Sequence, residues 1–299
     1  MKAAPFTYHR PESLDEALGL LAGMAEAGEE GKVLAGGQSL LPVMALRLAA
    51  PAHLVDIGRL PDLDRIIAGP SGVRIGAMVR HAQAERSEDL ARWAPMVHQA
   101  MPWIGHRAIR TRGTVVGSIA HADPAAEMPA VCAALGATMH VASTSGERTV
   151  SAAEFFTGYL TTALEEHEIL TAVEFPAWSD SAGSAVVELS RRHGDYALLG
   201  LACGLQVDDS TGSDGSIVAA ALVFFGAGPT PVRITEAEDV LLGRLPTPET
   251  FAVAAEVVCD IIDPTGDVHA TAAYRQHIAG VLTRRGLAEA ASRIGGASE

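Results

Sequence analysis

Two short stretches rich in glycine and hydroxyl side chains carry the residue types that hold an anion through the backbone. The first runs Val33, Leu34, Ala35, Gly36, Gly37, Gln38, Ser39 and Leu40. Two adjacent glycines between an apolar run and a helical pattern let the main chain approach a ligand with no Cβ in the way. The amides of Gly37, Gln38 and Ser39 can then point at phosphate oxygens near a helix N-terminus, and Ser39 adds a hydroxyl donor. By itself the stretch reads equally as a tight strand-to-helix turn with Ser39 as N-cap. It is neither a P-loop nor the common dinucleotide fingerprint, because it lacks Gly-Lys-Ser/Thr and G-x-G-x-x-G.

The second stretch, Ile109 to Pro124, holds Gly113, Thr114, Val115, Val116, Gly117 and Ser118, followed by Asp123. Alone it reads as a loop and strand segment feeding a helix that Asp123 caps. Together the two stretches say more than either does. A dinucleotide's diphosphate has oxygens facing two sides, and two loops of this kind could clasp it.

The other chemistry-bearing side chains point elsewhere. His121 has no second His, Cys or Glu at metal-ligand spacing. Ser39, His121 and Asp123 do not make a triad, because no G-x-S-x-G elbow presents the serine. Arg107, Arg110 and Arg112 could face phosphates, solvent or a partner chain. Trp93, Trp103 and Trp178 read as core or interface. The three cysteines, Cys132, Cys203 and Cys259, are too few for an iron–sulfur cluster and too scattered for a disulfide framework.

The elements that must position these loops can be read from periodicity. Ser13 to Glu16 is a capping box opening a helix, with Gly31 as its expected stop. Strands are predicted at 33–35, 53–57, 73–76 and 169–175, and a helix over 89–101 despite Pro95. Asp123-Pro124 is expected to open a helix running to Leu135. A hairpin is predicted from 137–142 and 148–150, and a second capping box at Ser151 to Glu154. Composition turns small and polar from Pro176 to Gly183, which places a domain boundary there. Beyond it come strands at 185–189, 198–207 and 217–225, the last two joined by an acidic loop from Asp208 to Ser216. Helices are predicted next at 236–242, 249–262 and 270–282. This order is α+β.

The 299 residues suffice for two domains with separate cores, and the apolar share of 48% with mean hydropathy +0.20 indicates a folded chain. A formal charge of −14 shows no basic footprint for nucleic acid. No stretch is apolar for long enough to make a transmembrane segment, and the N-terminus does not resemble a signal peptide. Cytoplasmic residence with reduced thiols is the expectation.

The pattern A-G-G-Q-S-L, then R-G-T-x-x-G-S-I-A-H-A-D-P-A-A-E-x-P, then R-x-G-D-Y-A resembles the FAD-binding medium subunit of molybdenum hydroxylases, of the aerobic carbon monoxide dehydrogenase and xanthine dehydrogenase type. The resemblance runs in order over nearly the whole chain. It implies an FAD-binding domain of the p-cresol methylhydroxylase/vanillyl-alcohol oxidase type at 1–178, built of two subdomains. It also implies a small C-terminal α+β domain with an antiparallel sheet at 184–290. The resemblance has Ala35 to Ser39 and Thr114 to Ser118 wrap the diphosphate of FAD. It puts Asp123 at the ribose or diphosphate region, and the backbone of Leu170 near the adenosine or flavin. Arg192, Asp195 and Tyr196 fall at the isoalloxazine, with the tyrosine ring on the flavin face. A carboxylate beside phosphates is repulsive, so Asp123 is assigned to hydroxyls and to its cap. One departure stands out: the family usually reads T-I-G-G in the second loop, and here Val116 takes the place of a glycine.

The resemblance further implies an electron-transfer role. An iron–sulfur small subunit and a molybdenum-cofactor large subunit would be partners in a dimer of heterotrimers, with an external electron acceptor. No catalytic residue and no metal ligand is assigned to this chain. Two other readings are a stand-alone flavin oxidase or dehydrogenase, and a non-catalytic nucleotide-binding or scaffolding module.

Overall fold

The computed structural model describes residues 2–208 and 215–295. The N-terminal part begins with a three-stranded parallel sheet in the order β1 (Thr7–His9), β3 (His53–Asp56), β2 (Gly31–Leu34). Helix α1 (Leu14–Ala27) crosses between its first two strands and buries Ala17, Leu18, Leu21 and Met24. The Ser13 hydroxyl accepts the Glu16 amide, while Glu16 receives the Glu12 amide rather than that of Ser13. The helix stops at Gly28, in the left-handed region at φ +69°, three residues before the expected Gly31. Only glycine takes that conformation without strain, and Gly31 instead starts β2.

A second sheet holds five antiparallel strands in the order β4 (Ile66–Gly69), β5 (Gly72–Gly76), β10 (Ile169–Pro176), β6 (Thr138–Ser143), β7 (Gly146–Ser151). The strands β1 and β4 were not expected from sequence; both are short and carry little alternation. Between β5 and β6 lie α3 (His81–Ala84), α4 (Glu88–Trp93), α5 (Pro95–Ala100), α6 (Arg107–Arg110), α7 (Val115–His121) and α8 (Glu127–Leu135). Pro95 splits the expected helix 89–101 in two and sits at the start of α5, where its missing N–H is harmless. Within 109–119, residues 109–110 end α6 and 115–119 belong to α7; only the turn at 111–113 and a single β-bridge from Thr114 to Arg80 remain of the expected loop and strand. Asp123 does not cap α8, whose N-cap position is Ala126; its carboxylate closes a turn on the Ala125 amide at 2.9 Å. After β7 come α9 (Ala152–Phe155) and a hairpin of β8 (Phe156–Gly158) and β9 (Thr161–Thr162). Ser151 bonds the Glu154 side chain and makes no capping bond to the backbone.

The C-terminal part is a four-stranded antiparallel sheet, β11 (Ala182–Leu189), β12 (Leu199–Val207), β13 (Ile217–Phe225) and β14 (Val232–Arg233). It is followed by α10 (Thr235–Asp239), α11 (Pro248–Ile261) and α12 (Ala272–Ser292), the last running ten residues past the expected end at Leu282. Of the predicted loop between β12 and β13, residues 209–214 lie outside the described residues. Alternation splits the sheet's two faces. Val187, Leu201 and Cys203 pack with Ala254, Val258 and Leu287 in one core. Val186, Ala202 and Val223 turn the other way and join the core of the N-terminal part. The linking Trp178 lies over Gly204, where an added Cβ would come within 2.4 Å of the indole.

Candidate functional site

The two glycine-rich loops meet. A Cβ built on Gly36 would lie 2.5 Å from the Arg112 carbonyl oxygen and 2.6 Å from the Gly113 Cα. The glycine therefore permits one backbone to cross directly over the other. Both loops border a cavity of about 670 Å³, within the range of about 300–1,000 Å³ typical of small-molecule sites.

The first loop, between β2 and α2 (Leu40–Ala45), keeps its amides available. Gly37 is left-handed at φ +72°. The Gly37, Gln38 and Ser39 amides donate to no acceptor among the described residues. Ser39 occupies the N-cap position of α2, but its hydroxyl makes no capping bond. Three consecutive main-chain donors at a cavity wall form a ready anion cradle.

The second loop is fastened to its own surroundings. Gly113 donates to the Ile109 carbonyl at 2.8 Å, and Val115 to the Val79 carbonyl at 3.0 Å. Thr114 caps α7 by accepting the Gly117 amide at 3.1 Å, and this is what requires glycine at 117: a Cβ there would stand 2.5 Å from the Thr114 hydroxyl oxygen. Arg110 faces neither phosphate nor solvent. It is buried in a two-pronged bond to Glu85 at 2.9 and 3.0 Å and donates to the Gly105 carbonyl at 2.8 Å, anchoring the approach to the loop.

Of the residues expected at the site, 33–40, Gly113, Thr114, Val116, Gly117, Ser118, Asp123, Leu170, Asp195 and Tyr196 border the cavity. Val115 and Arg192 do not. Val115 is fully buried on the inner face of α7, and Arg192 is exposed on the β11–β12 connection. Val116 is also buried, at 2% exposure, so the side chain that replaces the family's glycine fills core space along one wall.

Sequence reasoning missed His81, Glu127, Leu160, Thr161, Thr162 and Leu164, all of which border the cavity. His81 is a buried imidazole with neither ring nitrogen bonded among the described residues. Burial pulls its pKa down to about 4, with the Arg110 charge adding to the effect, so it is neutral at pH 7. Its amide donates to the Gly113 carbonyl at 3.0 Å, which ties α3 to the second loop. Leu160, at the β8–β9 turn, adopts φ +52°, a strained conformation for a non-glycine residue that collects at functional sites. The wall near Tyr196 is acidic. Desolvation first, then Asp123 and Glu127, push the tyrosine hydroxyl up to about 12. His121 reaches the Asp123 carboxylate at 4.0 Å.

Free amides beside a cavity of this size, with no activated nucleophile in the wall, suit a nucleotide cofactor of the flavin class. The chain belongs to the FAD-binding subunits of molybdopterin dehydrogenases. Residues 4–178 match the FAD binding domain in molybdopterin dehydrogenase, and residues 184–290 match the CO dehydrogenase flavoprotein C-terminal domain. The nicotine 6-hydroxylase medium subunit of Paenarthrobacter nicotinovorans is 39% identical over 293 residues, covering 98% of this chain and 100% of the relative. The 6-hydroxypseudooxynicotine dehydrogenase complex subunit alpha of the same organism is 36% identical, covering 98% of this chain and 97% of the relative. Among solved structures, carbon monoxide dehydrogenase from Hydrogenophaga pseudoflava superposes with a TM-score of 0.92 at 36% identity, covering 98% of this chain and 100% of that one.

Proposed function

We propose that this chain holds FAD in the cleft between its two loops. It serves as the electron-transfer subunit of a molybdenum-dependent hydroxylase or dehydrogenase. The observation that carries the site assignment is the crossing of the loops at Gly36 and Gly113, beside three free amides and a common cavity. The amides of Gly37, Gln38 and Ser39 bind the diphosphate, with the hydroxyls of Ser39 and Ser118 beside them. Among the described residues no arginine borders the cavity and Lys32 is its one lysine, so this is a grip by dipoles more than by charges. Asp123 accepts from sugar hydroxyls. Asp195 and Tyr196 lie at the flavin end, the ring of Tyr196 providing an aromatic face. Val115 and Arg192 lie outside the cavity wall. The flavin, once bound, can exchange electrons singly on one side and as a pair on the other. The chain's own task is to fix the ring, shield it from water and leave one edge open.

The N-terminal part, 1–178, is of the p-cresol methylhydroxylase/vanillyl-alcohol oxidase type, and 184–290 forms the second domain. The partners are an iron–sulfur small subunit and a molybdenum-cofactor large subunit, assembled as a dimer of heterotrimers that delivers electrons to an external acceptor. Relatives named as a dehydrogenase complex subunit and as a hydroxylase medium subunit support this reading. The complex resides in the cytoplasm, where thiols such as the free Cys132, Cys203 and Cys259 stay reduced.

The test is purification of the chain with its partners, followed by denaturation and analysis of released flavin. FAD in a one-to-one ratio is expected, and Gly37→Val should lower retention far more than Arg59→Ala. A colourless protein that takes up no FAD, or equal retention in both variants, overturns the assignment.

A further inference from the structure

The arginines around the second loop are not used by the cavity. Arg110 is spent on Glu85. Arg107 and Arg112, on either side of it, are exposed, and their guanidinium groups make no hydrogen bond or ion pair among the described residues. Arg80 is exposed as well. It donates to the Thr111 carbonyl at 2.8 Å, and its backbone bridges Thr114, which holds it beside this segment.

The β11–β12 connection brings two more cations to the same place. Gly194, left-handed at φ +86°, lies close over residues 105–106: an added Cβ would meet the His106 Nδ1 at 2.6 Å and the Gly105 carbonyl carbon at 3.0 Å. One residue earlier, the His193 ring stands 6.2 Å from the Trp103 ring, centre to centre. Arg191 and Arg192, next along this connection, are exposed, and their guanidinium groups are unpaired among the described residues. These two contacts join the segments 103–112 and 190–196 into one surface. The one carboxylate on the two segments is Asp195, and it borders the cavity. In a chain of formal charge −14, such a gathering of cations stands apart from the rest.

Its position has a functional meaning. The five arginines lie outside the cavity wall, while Gly105, Ile109, Gly194 and Tyr196 among them belong to it. The patch therefore rims the end of the cavity that holds Asp195 and Tyr196, with Ile109 and Tyr196 as exposed apolar contact points. Permanent subunit interfaces are rich in apolar area, whereas encounters between electron-transfer proteins are small and steered by complementary charge. Exposed arginines around a few apolar side chains suit the second kind. A small phosphate-bearing molecule would want them gathered in a concave pocket, and here they are spread along an outer rim.

We propose that this rim docks the external acceptor, and that the acceptor is an acidic one-electron carrier protein. This rests on the FAD reading above. The arginines attract and orient the carrier over the cavity mouth, while the acidic remainder of the chain repels it elsewhere. Each encounter passes one electron to the carrier's oxidised redox centre. Two encounters remove a stored pair, and the accompanying protons return to water. The arginines themselves form and break no covalent bond.

The experiment takes the purified native complex, photoreduced, and mixes it with two cytochromes c that share one haem: the basic native form and the acidic succinylated form. Reduction of the acidic form should slow about tenfold as salt is raised. Arg107→Glu combined with Arg191→Glu should slow it by a similar factor at low salt, and should make reduction of the basic form no slower. FAD content and reduction of a neutral dye should match the wild type. Calorimetry with the oxidised acidic cytochrome should show binding that both salt and the double variant abolish, a readout that needs no electron transfer. Arg107→Gln with Arg191→Gln, a milder change, should give the same losses in smaller measure. An acidic cytochrome that is indifferent to salt and to the arginines, as when another subunit covers them, overturns the docking surface. So does an arginine-dependent oxidation by NAD with no binding of the acidic cytochrome. A complex that binds the acidic cytochrome but carries no flavin overturns the cofactor reading and leaves the docking surface standing.

Discussion

The two glycine loops have nearly the same composition and opposite internal arrangements. The first, Gly36 to Ser39, leaves three consecutive amides unpaired among the described residues. The second, Gly113 to Ser118, uses its amides on Ile109, Val79 and the Thr114 hydroxyl. The segments downstream of the two loops differ as well. α2 has no acidic residue in its first turn, whereas the second loop leads through Asp123 to the buried Glu127. Composition alone, then, does not tell an open cradle from a brace. The first loop offers donors; the second holds the first in place and lines the far wall.

The largest effect should come from breaking the crossing itself. Gly36→Val places atoms inside the backbone at Arg112 and Gly113, and is expected to cost on the order of 3 kcal/mol. Thermal melts should fall and flavin should be lost together; a well-folded variant with full FAD would separate the loops' roles from their contact.

Next is the acidic side. Glu127 is raised to about 8 and Glu188 to about 7, burial being the main cause in both. Their folded-state pKa values exceed the unfolded ones, so the native chain binds more protons over this interval. Stability therefore falls as pH rises from about 4.5 toward 8. Glu188→Gln removes its part of that loss and should stabilise the chain by on the order of 1–3 kcal/mol at pH 8 relative to pH 5. Parallel melting curves for both proteins across this range would contradict the raised values.

The contrast between brace and cradle sharpens with two hydroxyl deletions. Thr114→Ala removes the α7 cap and should lower stability by about 1 kcal/mol. Ser39→Ala removes no protein hydrogen bond and should leave the melting temperature nearly unchanged. It should weaken FAD binding about tenfold, the value of about 1.4 kcal/mol for one charge-assisted contact. Calorimetry and FAD titration of the two variants would expose any exchange of these roles.

Much of this was legible in the residues. The A-G-G-Q-S-L and R-G-T-x-x-G-S stretches announced themselves because glycine pairs and hydroxyls act locally. The C-terminal strands were read to within a few residues because they are nearly continuous apolar runs, buried on both faces. The helices α6 and α7 were hidden: Gly117 looks like a loop residue until the Thr114 cap explains it. Arg110 looked free because its partner Glu85 is 25 positions away. His81 and Glu188 escaped notice for the same reason. Their significance comes from burial, which only the assembled fold reveals.

In the five-stranded sheet the middle position belongs to β10, the last of its strands in the chain. A nascent polypeptide leaving the ribosome would hold β4–β5 and β6–β7 as two separate ribbons until residue 176 had emerged. Leu170 on that strand, and Tyr196 beyond it, complete the cavity wall. Cofactor loading is thus a late event in the life of a new molecule, and a chain arrested before this point would carry both glycine loops but no enclosed pocket between them.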